Sequence, residues 1–537
     1  MTNHIKIMLS TPTIKVANID FNVQQILNCI DSGVKSGADY IVFGKNCLHG
    51  QALGKMNSHK SILQAINNGI NKIKVYLVDK PCTVLVSSIY NYENQIKSYN
   101  FVINAQGCSF FDKFLTTKFG NKIHFHLDNS YALIRTRKQK LHQLTQLSKK
   151  EKSIVVFTST GLGEYTGRGV CSGDKIVIDN GIVLADCGYE KENIFVDINI
   201  SRKHINDVNL NHNCTDDTGI DDKNPLPFVP KDERERENIL STLQTATYQR
   251  VKETKSNGVI IGVSGGIDSA MALVLATSIQ KKHADFGKIY AVTMHAHATS
   301  ELSKKNSKDL IQACGAIHID IPITQSIKNH LQQLGHDGKH DLTYENSHAR
   351  RRTSILLDLA NMYGVIQLGT GDMSEIALGW STYGGDQLSH FNPNSNLTKT
   401  MIRDILPYLA KSINSSSLHK IILKIVKAPV SPELVEGQKT ETILGPYMVL
   451  DYILYHFIYQ CQTVKHTFNL CRTVFADIEI NDLKKYFNTF ITRFFANQFK
   501  VKFSCDGVRI MDFDISDLHL PTNFDSSIFL QELQEIV

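Results

Sequence analysis

A strand-like segment, a glycine-rich turn and an apolar helical segment follow one another near the middle of the 537-residue chain. The strand spans residues 259–263, the helix spans residues 270–279, and the turn between them consists of Ser264, Gly265, Gly266, Ile267, Asp268 and Ser269. Such a turn points free backbone N–H groups and the positive end of a helix beyond the edge of a sheet, where they favour phosphate. This order predicts an α/β sheet with a phosphate-binding turn.

The turn differs from the nucleotide-binding loop of P-loop proteins. The chain has no GxxxxGK[ST] motif, and the turn lacks the lysine that would hold a γ-phosphate. Its two glycines let the backbone approach a ligand closely, its two serines supply hydroxyl groups, and Asp268 is placed to hold Mg²⁺. A tight βα turn without a ligand is the alternative. The position between strand and helix favours binding of the pyrophosphate of ATP.

Strand-like and helical segments alternate throughout the second half of the chain. The strands are expected at residues 259–263, 289–293, 317–319 and 365–368. This alternation predicts a doubly wound parallel sheet. Ahead of the first strand, apolar positions recur on one face of a helical segment at Leu240, Leu243, Thr247 and Val251. We therefore expect one α/β domain over residues 233–537.

The first 205 residues have a different pattern, in which short β-rich runs predominate. These runs lie at residues 5–9, 40–43, 83–86, 101–103, 154–157 and 175–178. Asn180-Gly181 between two such runs predicts a hairpin with a type I′ turn. We expect a separate α/β domain here, with antiparallel pieces. Residues 206–232 are predicted to be the linker, because TDDTGIDDKNPLPFVPKD within them is rich in Asp, Asn and Pro.

Composition limits the classes of function. The chain has no apolar run of the roughly 20 residues that span a bilayer, and its N-terminus lacks the successive regions of a signal peptide, so we expect a cytoplasmic protein without a membrane role. The 11 cysteines form no CxxC pair, which predicts reduced thiols. A net charge of +6 with mixed signs along the chain does not indicate nucleic acid and suits an anionic small molecule equally well.

The glycine-rich turn resembles the SGGxDS loop of the ATP pyrophosphatase superfamily, whose members cleave ATP to AMP and pyrophosphate. That loop alone leaves synthesis of GMP, asparagine or NAD and tRNA thiolation open. Residues 340–386 closely resemble the core of NAD synthetases, particularly the longer glutamine-dependent form, and further similar stretches lie at 397–406, 431–434, 438–457 and 492–500. The resemblance implies a Rossmann-like fold of the adenine nucleotide alpha hydrolase type and ATP-dependent conversion of deamido-NAD to NAD.

The resemblance also implies roles for single residues. Asp268 and Glu375 match the catalytic carboxylates that hold Mg²⁺, and Glu375 follows the predicted strand 365–368, so both are expected at one sheet edge. Contacts to ATP are implied for Ser264, Gly265, Gly266, Ile267, Asp268, Ser269, Thr370, Lys399 and Ser431. Contacts to deamido-NAD are implied for Asn346, Arg350, Glu375 and Lys500. Two alternatives without a ligand contact stay open: Thr370 could cap a helix, and Lys500 could be a surface residue.

Residues 1–205 resemble the nitrilase-like glutaminase domain of the longer synthetases, which uses a Glu-Lys-Cys triad to release ammonia from glutamine. Where that family has Phe-Pro-Glu, this chain has Phe43-Gly44-Lys45. Lys113 is matched to the triad lysine, although an ordinary strand-end lysine explains it equally well. No cysteine occurs between Cys108 and Cys171, where the nucleophile should fall.

Loss of both the base and the nucleophile predicts an inactive, reduced nitrilase-like α/β sandwich, because acyl transfer needs both groups. The synthetase would then use free or partner-supplied ammonia. Glutamine use through an unrecognised nucleophile and a non-catalytic assembly relic are the alternatives. The resemblance further implies a homo-oligomer.

Overall fold

The computed structural model describes residues 4–93, 95–116, 122–161, 169–188, 191–199, 223–295, 300–428 and 440–536. The chain divides into two compact units, Met1–Asp217 and Thr218–Val537. Within the predicted linker, residues 206–222 lie outside the described part, and the first helix of the second unit begins at Glu233, directly after the linker's predicted end.

The first unit contains two β-sheets. Its strands are β1 (His4–Ser10), β2 (Tyr40–Phe43), β3 (Thr83–Tyr92), β4 (Gln95–Asn104), β5 (Gly107–Phe111), β6 (Phe114–Thr116), β7 (Lys122–Leu127), β8 (Ile154–Thr158), β9 (Lys175–Asp179), β10 (Ile182–Cys187) and β11 (Asn193–Asn199). Among the described residues, one sheet has the order β11-β1-β2-β3-β4-β5 and the other β10-β9-β8-β7-β6. The two sheets share a buried apolar core.

The described part of this unit also contains three α-helices: α1 (Ile19–Lys35), α2 (Lys60–Tyr76) and α3 (Thr136–Glu151). Apolar residues of α1 and α2 share a core with the first sheet, and Leu144 of α3 packs with the second sheet. Successive side chains of a strand point to opposite faces, so Val156 of β8 enters the core between the sheets while Val155 faces α3. The predicted α/β sandwich is confirmed.

The hairpin predicted at Asn180-Gly181 is also confirmed. Both residues have positive φ, 47° and 83°, and Ile182 of β10 pairs with Asp179 of β9. Positive φ at both central positions matches the right-handed twist of the flanking strands. The dipeptide therefore determines the register at this turn.

The second unit is built on a four-stranded sheet of β12 (Gly258–Gly262), β13 (Lys288–Thr293), β14 (Ile317–Asp320) and β15 (Ile366–Leu368). The described strands are parallel and have the order β14-β13-β12-β15, which confirms the predicted parallel sheet. After β12 the chain forms β13 on one side of β12 and β14 beyond it, and later forms β15 on the opposite side of β12. Ligands of open α/β sheets bind at the carboxyl ends of strands where the order reverses in this way.

Helices of this unit pack against the sheet and against one another. They are α4 (Glu233–Glu253), α5 (Ile267–Lys282), α6 (Glu301–Cys314), α7 (Thr324–Gln333), α8 (Leu342–Tyr363), α9 (Met373–Leu378), α10 (Lys399–Ser412), α11 (Ser416–Lys427), α12 (Thr440–Leu444), α13 (Tyr447–Ile453), α14 (Val464–Val474), α15 (Ile480–Ala496), α16 (Gln498–Val501) and α17 (Ser527–Gln534). Helix α5 is buried along most of its length and packs against β12, α4 and α10. The helix that follows the glycine-rich turn is therefore fixed on several sides. Across the described ranges, none of the helices is both long and apolar enough to cross a membrane.

Candidate functional site

The glycine-rich turn joins β12 to α5 at the carboxyl edge of the parallel sheet. Ser264 Oγ lies 3.2 Å from Ser269 Oγ and accepts a hydrogen bond of 3.2 Å from the N–H of Gly266. Helix α5 begins at Ile267, directly after Gly266. Ile267 is buried, so within this turn it can offer a ligand only its backbone. The turn thus presents a helix N-terminus and two hydroxyl groups.

The two glycines of the turn have different requirements. Gly265 has a φ of +91°, and a Cβ atom there would lie 2.5 Å from the carbonyl oxygen of Ser303. Gly266 has a φ of −86°, and a Cβ atom there would come no closer than 3.3 Å, to Ser264 Oγ. Only Gly265 is required by both the backbone conformation and the close approach of α6.

Gly265→Ala is therefore expected to lower the free energy of unfolding by about 2–4 kcal/mol, since strain and a clash with backbone act together. Gly266→Ala is the matched control and is expected to cost only about 0.5 kcal/mol. Urea unfolding of both variants measures the difference. Equal stability of the two would show that the turn does not have this conformation.

Glu375 is positioned by the short helix α9, which follows β15. Its N-cap is Asp372, whose Oδ1 accepts a hydrogen bond of 2.8 Å from the N–H of Glu375, and the Glu375 carboxylate accepts one from the N–H of Asp372. Asp372 is fully buried and was missed by the sequence reasoning, although the spacing Asp-x-x-Glu is the signature of a capping box. The alternative of Thr370 as the helix cap is wrong, because Asp372 has that place.

Lys399, the first residue of α10, brings the carboxylates of two loops together. Its Nζ lies 2.7 Å from Asp268 Oδ2, 2.7 Å from Asp372 Oδ2 and 3.0 Å from Glu375 Oε1, and the lysine side chain is fully buried. We name this group, Lys399 with Asp268, Asp372 and Glu375, the acidic cluster. The expectation that Asp268 and Glu375 meet at one sheet edge agrees with this geometry. Lys399 itself contacts carboxylates, whereas the resemblance implied a contact to ATP.

Burial and charge oppose each other in the acidic cluster. Burial would lower the pKa of Lys399, but the carboxylates of Asp268, Asp372 and Glu375 outweigh it and raise that pKa well above its usual value. Burial raises the pKa of Glu375 to about 7, against the opposing effect of Lys399. The lysine is thus held as an ammonium ion. When ionised, the three carboxyl groups carry more negative charge than the one ammonium ion balances, and a further cation can balance the rest.

The acidic cluster fits a divalent cation. Asp268, Asp372 and Glu375 each offer an oxygen, and these oxygens lie within 4.8 Å of one another. In the described part of the chain, buried Asp268 Oδ1 has no hydrogen-bond partner. Carboxylate oxygens with excess negative charge are the ligands that Mg²⁺ prefers.

A fourth carboxylate, that of the buried residue Asp451 of α13, stabilises the segments that carry the acidic cluster. It accepts hydrogen bonds of 2.5 Å from Ser374 Oγ and of 2.7 Å from Thr400 Oγ1, and Ser374 Oγ accepts one of 2.9 Å from the N–H of Lys399. Ser374 and Thr400 are the sequence neighbours of Glu375 and Lys399. Asp451 therefore aligns the starts of α9 and α10, a contact that sequence reasoning missed.

Of the residues matched to deamido-NAD contacts, Glu375 belongs to the acidic cluster and the other three do not. Arg350 of α8 is exposed and donates to the carbonyl of Tyr383 at 3.2 Å. Lys500 of α16 donates to the carbonyls of Gly379 (2.8 Å) and Ser381 (2.7 Å). Both cations thus hold the backbone that follows α9. Asn346 is half-buried one turn before Arg350 on α8. Ser431 lies outside the described residues.

The residues matched to the glutaminase site lie in the first unit. Lys45 follows β2, its N–H donates to Asp128 O at 3.0 Å, and its carbonyl accepts from Thr160 Oγ1 at 2.8 Å. Lys113 is exposed between β5 and β6, and its carbonyl accepts from Phe125 N at 2.9 Å. In both cases these contacts involve the backbone.

Sequence comparison relates the chain to known proteins. Residues 239–488 match the family model of NAD synthase. The glutamine-dependent NAD(+) synthetase of Mycobacterium leprae is 26% identical over 71% of this chain and 66% of its own length. That of Acinetobacter baylyi is 33% identical over 42% of this chain and 41% of its own length. The chain spans about half to two thirds of the length of the first relatives it matches.

Structure comparison extends the similarity in fold to nearly the whole chain. A glutamine-dependent NAD(+) synthetase from Cytophaga hutchinsonii superposes with a TM-score of 0.79, covering 99% of this chain and 100% of that one at 13% identity. The enzyme from Acinetobacter baumannii, solved in complex with ADP, gives 0.66 over 96% and 97% at 19% identity. Residues 239–488 are thus similar to NAD synthases, and the chain is similar over a longer stretch to glutamine-dependent NAD(+) synthetases.

Proposed function

We propose that the protein adenylates deamido-NAD with ATP and amidates the product to NAD, releasing pyrophosphate and AMP. The observation that carries this proposal is the acidic cluster beside the glycine-rich turn, within a domain that matches NAD synthase. The complex of a structural relative with ADP supports nucleotide binding. The turn would hold the pyrophosphate of ATP through its backbone N–H groups and the hydroxyls of Ser264 and Ser269.

In the proposed reaction, the nicotinate carboxylate of deamido-NAD attacks the α-phosphorus of ATP, and the bond to pyrophosphate breaks. Ammonia then attacks the activated carbonyl, loses a proton, and AMP leaves. Asp268 and Glu375 would hold Mg²⁺. When bound, this ion supplies positive charge that offsets the negative charge developing on the phosphates. Asp372 fixes Glu375 through the helix cap. Arg350 and Lys500 would meet the dinucleotide beside the segment that follows α9.

We infer that the nitrogen comes from ammonia, because Lys45 stands where the glutaminase family has its general base and no cysteine lies between Cys108 and Cys171, where the nucleophile is expected. A lysine ammonium at position 45 has donors and no acceptor, so it cannot replace a carboxylate base. Burial raises the pKa of the Cys29 and Cys47 thiols to about 12, so neither forms appreciable thiolate near neutral pH. These features support an inactive glutaminase.

The 537-residue protein, supplied with deamido-NAD, ATP and Mg²⁺, is expected to form NAD from ammonium. With glutamine instead, the rate should be lower by more than about 100-fold, since losing a catalytic nucleophile costs at least that much. Chromatography of NAD and AMP measures both steps. Addition of a separate glutaminase to the glutamine reaction is the control and should restore NAD. Equal rates from glutamine and ammonium would refute the inference of an inactive glutaminase, and no NAD from either source would refute the proposed function.

A further inference from the structure

Asn394 lies in the segment between β15 and α10, and its side chain connects two loops of the candidate site. The side chain is fully buried, and its Nδ2 donates to two backbone carbonyl oxygens, those of Asp268 and Thr370, each at 3.0 Å. Asp268 belongs to the first turn of α5, and Thr370 lies between β15 and α9. One amide group therefore bridges the segments that carry the two predicted metal ligands.

The strands alone do not fix the separation of these segments. Strands β12 and β15 pair in parallel, and their register ends at Ile261 opposite Leu368. Beyond that pair the backbone turns to other partners, as in the hydrogen bond from Val263 N to Val292 O of β13. The Asn394 bridge begins where this ladder stops. The bridge therefore determines the distance between the two segments, and with it the distance between the Asp268 and Glu375 carboxylates that are expected to bind a cation.

The chemistry of the bridge requires an amide. An NH₂ group has two hydrogens in one plane and can donate to two carbonyls at once, whereas an ionised carboxylate of the same shape donates none. Asn392 holds the backbone from which this amide projects, because its Oδ1 accepts from the backbone N–H of Asn394 at 3.0 Å and its Nδ2 donates to Gly371 O at 2.8 Å. Both asparagines are buried. The bridge is thus held in place on the side of the β15 loop.

We propose that Asn394 is a positioning residue that holds Asp268 and Glu375 at the separation needed to bind a divalent cation with the phosphates of ATP. The proposal rests on the proposed function, since it assumes that these carboxylates bind the cation. Side chains that orient metal ligands from behind typically account for 10- to 100-fold in metal affinity. Asn394 acts through the backbone of Asp268 and Thr370 and has no contact with the reacting atoms in this scheme.

Asn396 supplies a matched control. It lies two residues later in the same segment, is equally buried, and its side chain also makes several hydrogen bonds. Its partners are different: Oδ1 accepts from Ile510 N and Met511 N, and Nδ2 donates to Phe513 O and makes a long contact of 3.9 Å with Met373 Sδ. Asn396 therefore anchors the segment to the C-terminal part of the unit, away from Asp268 and Thr370. Loss of either side chain should lower the melting temperature, but only loss of Asn394 should alter cation binding.

The experiment compares Asn394→Ala, Asn396→Ala and the wild-type protein. Mn²⁺ binding in the presence of ATP, without deamido-NAD, is measured by electron paramagnetic resonance, and the Mg²⁺ dependence of AMP formation is measured separately. Asn394→Ala is expected to weaken Mn²⁺ binding about tenfold and to raise the Mg²⁺ concentration for half-maximal rate similarly. Asn396→Ala should change each less than about twofold.

Equal Mn²⁺ affinity of Asn394→Ala and the wild-type protein would overturn the proposal, as would an equal loss in both variants. If Asn394→Ala does not fold, Asn392→Ala makes a milder change in the same bridge and is expected to weaken Mn²⁺ binding severalfold; no change would again overturn it. Failure of the proposed function gives a different result. The wild-type protein would then bind Mn²⁺ and ATP without forming AMP from deamido-NAD, and the comparison of Mn²⁺ affinities would still decide the role of Asn394.

Discussion

An Asp268→Asn protein is expected to form AMP from ATP and deamido-NAD about 1000-fold more slowly than the wild-type protein, a loss of about 4 kcal/mol in transition-state stabilisation. Asparagine keeps the size of the side chain, so the turn and α5 should be preserved. The charge that pairs with Lys399 Nζ at 2.7 Å is lost, and with it one of the carboxylates expected to hold Mg²⁺. Single-turnover measurement of AMP isolates this step from the later reaction with ammonia.

Asp285→Asn is the control for this experiment. Asp285 lies in the same unit and also pairs with a lysine, Lys252 Nζ at 2.8 Å, but this pair is about half exposed to solvent. Exposed ion pairs contribute little, so AMP formation and melting temperature should stay near the wild-type values. If Asp268→Asn turned over at a near-normal rate while folded, Asp268 would have no part in the reaction and the assignment of the acidic cluster would be wrong.

Local patterns in the sequence were sufficient to predict the strands of the parallel sheet, but in the first unit they predicted β1 to β4 and β8 to β10 and missed β5, β6, β7 and β11. The strands of the parallel sheet are short apolar runs between helical segments, and the turn at Asn180-Gly181 depends on two residues alone. The strand β5 was missed because most of its side chains are exposed and show no apolar alternation. A strand whose stability comes from pairing with its neighbour carries little signal in its own residues.

The candidate site was only partly predictable, because its geometry depends on contacts between distant parts of the chain. The turn from Ser264 to Ser269 and the position of Glu375 followed from local order. The contact of Lys399 with Asp268 joins residues 131 positions apart, and that of Asn394 with Asp268 joins residues 126 apart. A pattern within a short stretch of sequence cannot predict contacts between residues so far apart in the chain. Asp372 is the exception, since its capping box with Glu375 is visible in four residues.

Lys399→Met is expected to lower the free energy of unfolding by about 3–5 kcal/mol at pH 8, because removing one partner of a buried ion pair leaves the other charges uncompensated. Methionine replaces the aliphatic stem of the lysine, ends one atom short of Nζ, and leaves Asp268, Asp372 and Glu375 facing one another without the ammonium ion. Chemical denaturation measures the change. Lys252→Met removes the exposed partner of Asp285 and, as the control, should leave the stability close to that of the wild-type protein.

The effect of Lys399→Met should depend on pH and on Mg²⁺, which separates it from a simple packing defect. The pKa of Glu375 is already raised to about 7 by burial, and loss of the nearby ammonium ion should raise it further. A carboxyl group whose folded-state pKa exceeds its unfolded value binds more protons when folded, so its contribution to stability falls as pH rises between the two values. The destabilisation should therefore shrink from pH 8 toward pH 5.

Added Mg²⁺ should stabilise the variant more than the wild-type protein, because it can balance the carboxylates in place of the lysine. If the loss of stability were independent of both pH and Mg²⁺ concentration, Lys399 would only fill space at the start of α10.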